Sequence, residues 1–172
     1  SEHYMESGEY IQAETMFQRA TRLGARSLLI SSKDKLRKLL GDGVTLAFSS
    51  EQPDSGVVDA IGQPPPVYSL EVNGWIVDAA RHILAKENYD LVYLTTTDYA
   101  MHTYAPEQPE SSDHLALLDR AVGLLMESLT DADILITADH GMSSKSRMIH
   151  LPAELDQYGI RARAVPIIKD QY

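Results

Sequence analysis

The chain has 172 residues, a formal net charge of −10 and no cysteine. This length is enough for one domain with a hydrophobic core, and 44% hydrophobic with 23% charged residues is ordinary for a globular protein. The acidic balance argues against a nucleic-acid partner, and no apolar run reaches the roughly 18 residues of a membrane-spanning helix. The lack of cysteine excludes disulfides and thiolate metal sites and favours a reducing, cytoplasmic location.

The first half of the chain alternates helical spacing with short apolar runs. In chain order we predict a helix, a strand, a helix, a strand and a helix, over Glu14–Leu23, Arg26–Ser31, Lys33–Gly41, Val44–Ser49 and Val72–Lys86. The proline-containing stretches 51–56 and 62–68 are predicted to be loops, because proline sustains neither regular structure.

The second half continues the alternation. We predict, again in chain order, a strand, a loop, a helix and two further strands, over Tyr89–Asp98, 101–112, Ser112–Leu129, Asp131–Asp139 and 160–168. Alternating helices and apolar strands indicate an α/β fold with a mostly parallel sheet and helices on both faces. We expect residues 1–172 to form a single α/β domain.

Two predicted strand ends carry an acid beside a histidine. In "TTTDYAMH", Asp98 closes a strand and His102 follows four residues later; in "LITADHGMSSK", Asp139 and His140 follow the next strand, and Gly141 permits a tight turn. The carboxyl ends of parallel strands lie at one edge of a sheet, where ligands bind, so the two pairs should converge. Carboxylates and neutral imidazoles are zinc ligands. The spacing therefore predicts a shared metal site.

A structural interpretation of these residues stays open. An Asp at a strand end often only caps the next helix, and Asp-His neighbours also arise by chance. Sites built from Asp and His accept manganese or iron as well as zinc, so the residues do not determine the metal. We interpret the other histidines of the helices and the later loop, His82, His114 and His150, as structural or surface residues.

The same motifs resemble a known family. "TADHGMSSK" is similar to the DHGM signature of the alkaline phosphatase superfamily, in the branch with nucleotide pyrophosphatase/phosphodiesterases and phosphonoacetate hydrolases. "TTTDYAMHTYAP" resembles the D-x-x-x-H-x-x-x-P segment of that branch, and "SKDKLRKLLG" resembles the K-D-K-L segment of phosphonoacetate hydrolases. The resemblance extends from about Tyr4 to the end of the chain and implies an alkaline phosphatase-like core.

The resemblance implies a site with two zinc ions. Carried onto this chain, Asp98 and His102 are the ligands of one zinc, and Asp139 and His140 are the ligands of the other. The paired metals of such sites activate a nucleophile and stabilise charge on a phosphoryl-like group.

The resemblance also implies the substrate class. Lys33 and Lys35 are similar to the basic residues that hold the anionic groups of a phosphonate or phosphate ester, whereas without the family they would be interpreted as a solvated helix start. The implied reaction is zinc-dependent cleavage of the C–P bond of phosphonoacetate to acetate and phosphate. A phosphodiesterase or nucleotide pyrophosphatase of the same branch is the alternative enzyme.

The chain carries only part of the set that the resemblance implies. A metal-binding Asp and a nucleophilic Thr are expected upstream of residue 1, and a third zinc-binding His downstream of Tyr172. Two ligands per zinc are fewer than the three or four that zinc sites usually have. We therefore expect an incomplete core from a longer catalytic domain, inactive by itself; a non-catalytic fragment lacking the nucleophile is a further alternative. A homodimer is compatible with the sequence, which does not determine the oligomeric state.

Overall fold

The computed structural model describes residues 7–144 and 146–163. Within this part three strands form one sheet: Ser27–Ser31 (β1), Leu46–Ser49 (β2) and Leu91–Thr95 (β3). A single 3-10 turn at Gly8–Tyr10 precedes them. The α-helices of the described residues, in chain order, are Met16–Arg22 (α1), Asp34–Leu40 (α2), Ser55–Ile61 (α3), Val72–Leu84 (α4), Tyr99–Thr103 (α5), Pro109–Ser128 (α6) and Leu151–Asp156 (α7).

The sheet is parallel, with the strand order β2-β1-β3. In the register of the central strand, Leu28 lies opposite Leu46 and Val92. The carboxyl end of the sheet is a row of three hydroxyl side chains, because Ser31 lies opposite both Ser49 and Thr95. The predicted parallel α/β architecture is confirmed, and the three strand ends define the edge where ligands are expected.

Helices cover both faces of the sheet. Successive residues of a strand point to opposite faces. Leu28 and Ile30 of β1 belong to the main core cluster, together with Ile76 of α4. On the other face Tyr93 of β3 packs edge-on against Phe17 of α1, with ring centroids 6.0 Å apart. Every residue of β1 is buried, which explains why this strand reads as a continuous apolar run with small hydroxyl residues at its ends.

Helix α6 packs against α4 at a glycine. A Cβ atom at Gly74 would lie 3.1 Å from Cδ2 of Leu117, so the lack of a side chain lets the two helices approach closely. This approach places the first turn of α4 beside the N-terminal part of α6, where Asn73 contacts His114. Asn73 also bonds to Thr97, in the segment that follows β3.

Two helices occupy segments that we predicted as loop or strand end. Asp54 begins α3, and its Oδ1 atom accepts the backbone N–H of Val57 at 3.1 Å. This N-cap stabilises a helix inside a stretch that its Pro and Gly residues had marked as irregular. Strand β3 ends at Thr95 rather than at Asp98, because the chain turns into α5 after the last ladder hydrogen bonds to β1.

The predicted strand over Asp131–Asp139 is wrong for the described structure. These residues form no strand, and Leu135 and Ile136 are 91% and 72% exposed. A strand is stable only when its backbone groups pair with a neighbour, and this segment pairs with none of the described strands. An apolar run predicts that a segment tends to form a strand, but it does not show whether a neighbouring strand is available for pairing.

The end of the described chain also differs from prediction. His150, which we interpreted as a structural or surface residue, precedes α7, whose first turn contains Pro152. Residues 160–163 form no strand, and the rest of the predicted strand over 160–168 lies outside the described residues. No helix of the described part is long and apolar enough to cross a bilayer.

Candidate metal and substrate site

The carboxyl edge of the sheet is held together by hydroxyl groups. Oγ of Ser31 lies 3.2 Å from Oγ1 of Thr95, which joins the last residues of β1 and β3. The segments that follow these two strands carry Lys33 and Asp98, so the strand register brings both to one edge. The segments that carry Lys33 and Asp98 therefore lie at the same edge of the sheet.

Lys33 is positioned by the end of β1. Its backbone N–H donates to Oγ of Ser31 at 3.3 Å, and the same hydroxyl donates to the carbonyl of Lys33 at 2.8 Å. The Nζ atom of Lys33 lies 5.4 Å from the centre of the Tyr68 ring, which is cation–π distance. Lys35 is the second residue of α2 and is exposed.

The start of α2 is anchored through Asp34. Its carboxylate is buried and accepts hydrogen bonds from the hydroxyl of Ser49, at 3.0 Å, and from the guanidinium of Arg37. The hydrogen bond from Arg37 lowers the pKa of Asp34, and the bonds from Ser49 and Lys38 act in the same direction. The backbone N–H of Asp34 donates to Oε2 of Glu51 at 2.7 Å. These bonds fix the backbone that presents Lys33.

An aromatic pair connects the lysine with the acid–histidine segment. The ring of Tyr68 lies 5.9 Å from the ring of Tyr99, at an angle of 49°. Tyr99 directly follows Asp98, and Tyr68 contacts Lys33 on its other side. We did not predict Tyr68 as a site residue, because it lies in a proline-rich loop whose position in the fold no local pattern indicates.

Asp98 and His102 form a pair across one helical turn. Oδ2 of Asp98 lies 2.9 Å from Nε2 of His102. Asp98 stands at the N-cap of α5, yet its side chain makes no capping hydrogen bond. The interpretation of this residue as a helix cap is therefore wrong, and its carboxylate is directed at the histidine instead.

Asp139 and His140 lie in an exposed, irregular segment. Oδ2 of Asp139 is 3.6 Å from Nε2 of His140, and Asp139 is not at the start of a helix, since the next described helix, α7, begins at Leu151. The pKa of His140 is raised, mainly by the backbone carbonyl of Gly141 and then by the charges of Asp139 and Asp98.

A hydrogen bond ties this segment to the preceding loop. The hydroxyl of Ser144 donates to Oε2 of Glu107 at 2.7 Å, across 37 residues of sequence. Glu107 lies between α5 and α6, close in sequence to the first acid–histidine pair. This contact places the segment that follows Asp139 and His140 beside the loop that follows the first pair, although residues 131–139 do not form the predicted strand.

The donor set suits a metal ion in type but is incomplete in number. Two carboxylates and two imidazoles are suitable ligands for zinc. In the described part of the chain, however, no three His, Cys, Asp or Glu side chains are close enough together to hold one ion. The four residues can thus contribute to metal sites, and further ligands are needed to complete them.

A buried amide lies behind the first pair. Asn73 of α4 is fully buried and bonds to both backbone groups of Thr97, the residue before Asp98. His114, which we interpreted as structural or surface, is buried against this amide, and burial lowers its pKa. No local pattern predicts the role of Asn73, because its partners are 24 and 41 residues away.

The parallel sheet and its helices form an incomplete core of the alkaline phosphatase-like fold. The sequence profile of the type I phosphodiesterase / nucleotide pyrophosphatase family matches residues 48–169, and the chain belongs to this family. The matched range includes both acid–histidine pairs and leaves out the two lysines. Members of the superfamily generally depend on metal ions.

The curated relatives include ectonucleotide pyrophosphatase/phosphodiesterase family member 7. The human protein is 38% identical over 76 residues, covering 40% of this chain and 17% of its own length. The rat protein is 35% identical over 79 residues, covering 41% of this chain and 18% of its own length. The chain thus spans less than a fifth of these relatives.

Solved structures of phosphonoacetate hydrolase from Sinorhizobium meliloti 1021 are similar over almost the whole chain. The complex with phosphonoformate gives a TM-score of 0.79 and the complex with phosphonoacetate gives 0.78, both at 33% identity. Each comparison covers 92% of this chain and 43% of the hydrolase. The resemblance predicted from the motifs is confirmed, and so is the partial coverage expected of an incomplete core.

Proposed function

We propose that this chain is the central part of a zinc-dependent hydrolase that cleaves the C–P bond of phosphonoacetate. The carrying observation is the convergence of Lys33 with the Asp98–His102 pair at the carboxyl edge of a sheet that is similar to phosphonoacetate hydrolase. The proposal treats the chain as one α/β domain that belongs to a longer catalytic domain.

In this proposal Asp98 and His102 hold one zinc, and Asp139 and His140 hold the other. When bound, the metal ions supply positive charge that activates a hydroxyl nucleophile and stabilises the phosphoryl oxygens. Zinc is preferred to manganese or iron on the family resemblance, since the donor types accept all three. The nucleophile and the remaining ligands are not assigned to residues of this chain.

The lysines stabilise the leaving group. Attack of the hydroxyl on phosphorus forms an O–P bond and breaks the C–P bond, and the electron pair passes to the methylene carbon. The proton lost by the hydroxyl is taken up by that carbon to give acetate, and water then hydrolyses the phosphoryl group from the nucleophile to give phosphate. The carbanion is a poor leaving group unless its carboxylate delocalises the charge. Lys33, held by Ser31 beside the strand end, and Lys35 direct ammonium groups at that carboxylate, so their attraction strengthens as charge develops.

A phosphodiesterase or nucleotide pyrophosphatase is the second candidate, and one observation favours it. Such an enzyme needs an aromatic surface for a base, and the rings of Tyr68 and Tyr99 lie 5.9 Å apart beside Asp98. In the phosphonoacetate proposal, Tyr68 instead supports Lys33 through the cation–π contact. The family profile is compatible with both activities.

The test measures zinc content and phosphate release from phosphonoacetate in the full-length protein that contains this chain. We expect about two zinc ions per chain, as in two-metal sites, and loss of activity in Asp139→Ala and His140→Ala. The matched control is His150→Ala, an exposed histidine ten residues further on. Zinc-dependent cleavage of nucleotide diesters alone would establish the second candidate. An intact protein that binds no metal and releases no phosphate would leave the non-catalytic interpretation.

A further inference from the structure

We propose that Asn73 is a positioning residue that holds the backbone on which Asp98 meets the metal. The proposal rests on the function proposed above, because it takes Asp98 as a metal ligand. It assigns a role to a residue outside the acid–histidine motifs and outside the lysine segment.

The side chain of Asn73 makes two hydrogen bonds to the backbone of Thr97, and we call this pair of bonds the clamp. Nδ2 of Asn73 donates to the carbonyl of Thr97 at 2.8 Å, and Oδ1 of Asn73 accepts the N–H of Thr97 at 2.9 Å. Asn73 is 0% exposed, and Thr97 is buried as well. A side-chain amide that pairs with both backbone groups of one residue replaces the pairing that a neighbouring strand would give.

The clamp lies where the sheet no longer supports the chain. Strand β3 ends at Thr95, and the ladder with β1 ends at the same residue. Thr97 is two residues beyond the strand and immediately precedes Asp98. The backbone between the sheet and the acid is therefore held by a side chain of α4.

Asp98 cannot be held by its own packing. Its side chain is 51% exposed and makes no capping bond to α5. The direction of its carboxylate thus depends on the backbone before it and on His102 after it. His102 is itself on α5, the helix that begins after Asp98, so movement of Thr97 would displace both members of the pair.

A buried histidine, His114, contacts the side-chain amide of Asn73. Nε2 of His114 lies 3.4 Å from Nδ2 of Asn73, and because an amide NH₂ group can only donate, Nε2 is the acceptor. Burial lowers the pKa of the imidazole, which favours the neutral form that accepts. With Thr97 and His114 as partners, both N–H groups of the amide and its oxygen are engaged. This fixes the orientation of the amide and, through it, the turn from β3 to α5.

The test measures zinc affinity by competition with a chelator in the full-length protein, in Asn73→Ala and in the control Trp75→Phe. Trp75 lies on the same helix, is buried, and donates from Nε1 to the carbonyl of Gly62 at 3.0 Å, away from Thr97. We expect Asn73→Ala to bind zinc about 10- to 100-fold more weakly, the usual effect of removing a residue that orients a metal ligand. Trp75→Phe should bind zinc with unchanged affinity.

A second measurement needs no variant. Hydrogen exchange of the Thr97 amide in the metal-free wild type should be slow, because the clamp exists before metal binds. Fast exchange of this amide, or equal zinc affinity of Asn73→Ala and the wild type, would overturn the positioning role and leave the zinc hydrolase standing. A wild-type protein with no affinity for zinc would overturn both proposals.

Discussion

The carboxylate of Asp98 lies 2.9 Å from Nε2 of His102, one helical turn away. The pKa of His140 is raised mainly by the backbone carbonyl of Gly141, then by the charge of Asp139, and to a smaller extent by the charge of Asp98. Because Asp98 and His140 belong to segments about 40 residues apart in sequence, any interaction between them depends on the fold.

The first prediction concerns this interaction. Asp98→Asn should lower the pKa of His140, measured by following its ring protons by NMR across the titration, while the control Asp59→Asn on α3 leaves it unchanged. A raised pKa means that the surrounding carbonyl and carboxylates favour the protonated imidazole. Their stabilisation of the protonated imidazole is complete at pH values below the ordinary histidine pKa of about 6.5. It is lost as the pH rises through the raised pKa of His140. An identical titration in Asp98→Asn would show that the two pairs do not converge.

The second prediction separates the lysines of α2. In the full-length enzyme, Lys33→Gln and Lys35→Gln should each lower kcat for phosphonoacetate by roughly 100-fold, the size of the effect of losing one charge-stabilising donor. Lys38→Gln is the control, since Lys38 lies on the same helix but pairs with Asp34, 3.3 Å from its Oδ2. The expected effect is on kcat, because the charge on the leaving group develops only in the transition state.

The result of the lysine series also tests the family assignment within the branch. If Lys33→Gln and Lys35→Gln retain the wild-type kcat, the lysines form a solvated helix start and the phosphonoacetate assignment loses its support for the leaving group. Equal losses in all three variants would indicate a general effect of net charge.

The third prediction concerns stability in acid. The pKa of Asp34 is lowered, chiefly by the hydrogen bond from Arg37, so its contribution to stability is present above the unfolded-state pKa of about 3.9 and is lost as pH falls through the lower folded-state value. Asp34→Asn should reduce the free energy of unfolding by about 1–3 kcal/mol at neutral pH, as for hydrogen bonds to charged groups. Denaturant unfolding of both proteins from pH 7 down to pH 2 should give curves that approach each other in acid. A constant difference across this range would contradict the prediction.

The fourth prediction concerns the exposed apolar segment after α6. Ile134, Leu135 and Ile136 are contiguous and exposed, and β3 pairs on one side only among the described strands. Such a segment and an open strand edge favour association between chains. For the 172-residue chain, Leu135→Lys should reduce self-association in sedimentation or light scattering without lowering the free energy of unfolding.

The matched control for this variant is Leu23→Lys. Leu23 is 70% exposed at the end of α1 but has no comparable apolar run around it, so its replacement should leave association unchanged. Equal association of the wild type and Leu135→Lys would show that the segment is not the contact.

Local sequence predicted the elements whose stability is largely local or whose burial is complete. The all-buried strand β1 and the amphipathic helix α4 match their predicted positions closely, because a continuous apolar run and a 3.6-residue period each select one structure. Helix α3 was missed since its single capping residue, Asp54, was outweighed by neighbouring Pro and Gly. The strand predicted over Asp131–Asp139 failed since pairing depends on a partner, which composition does not reveal.

The features of the candidate site also divide into those that local sequence predicts and those that depend on tertiary packing. The sequence by itself determined the chemical groups, the one-turn spacing that lets Asp98 meet His102, and the family to which the motifs belong. Only the tertiary structure decided that Tyr68 supports Lys33 and that Asn73 holds Thr97. The physical reason is range: a helical turn fixes neighbours four residues apart, whereas contacts across 24 or more residues exist only once the sheet and its helices have packed.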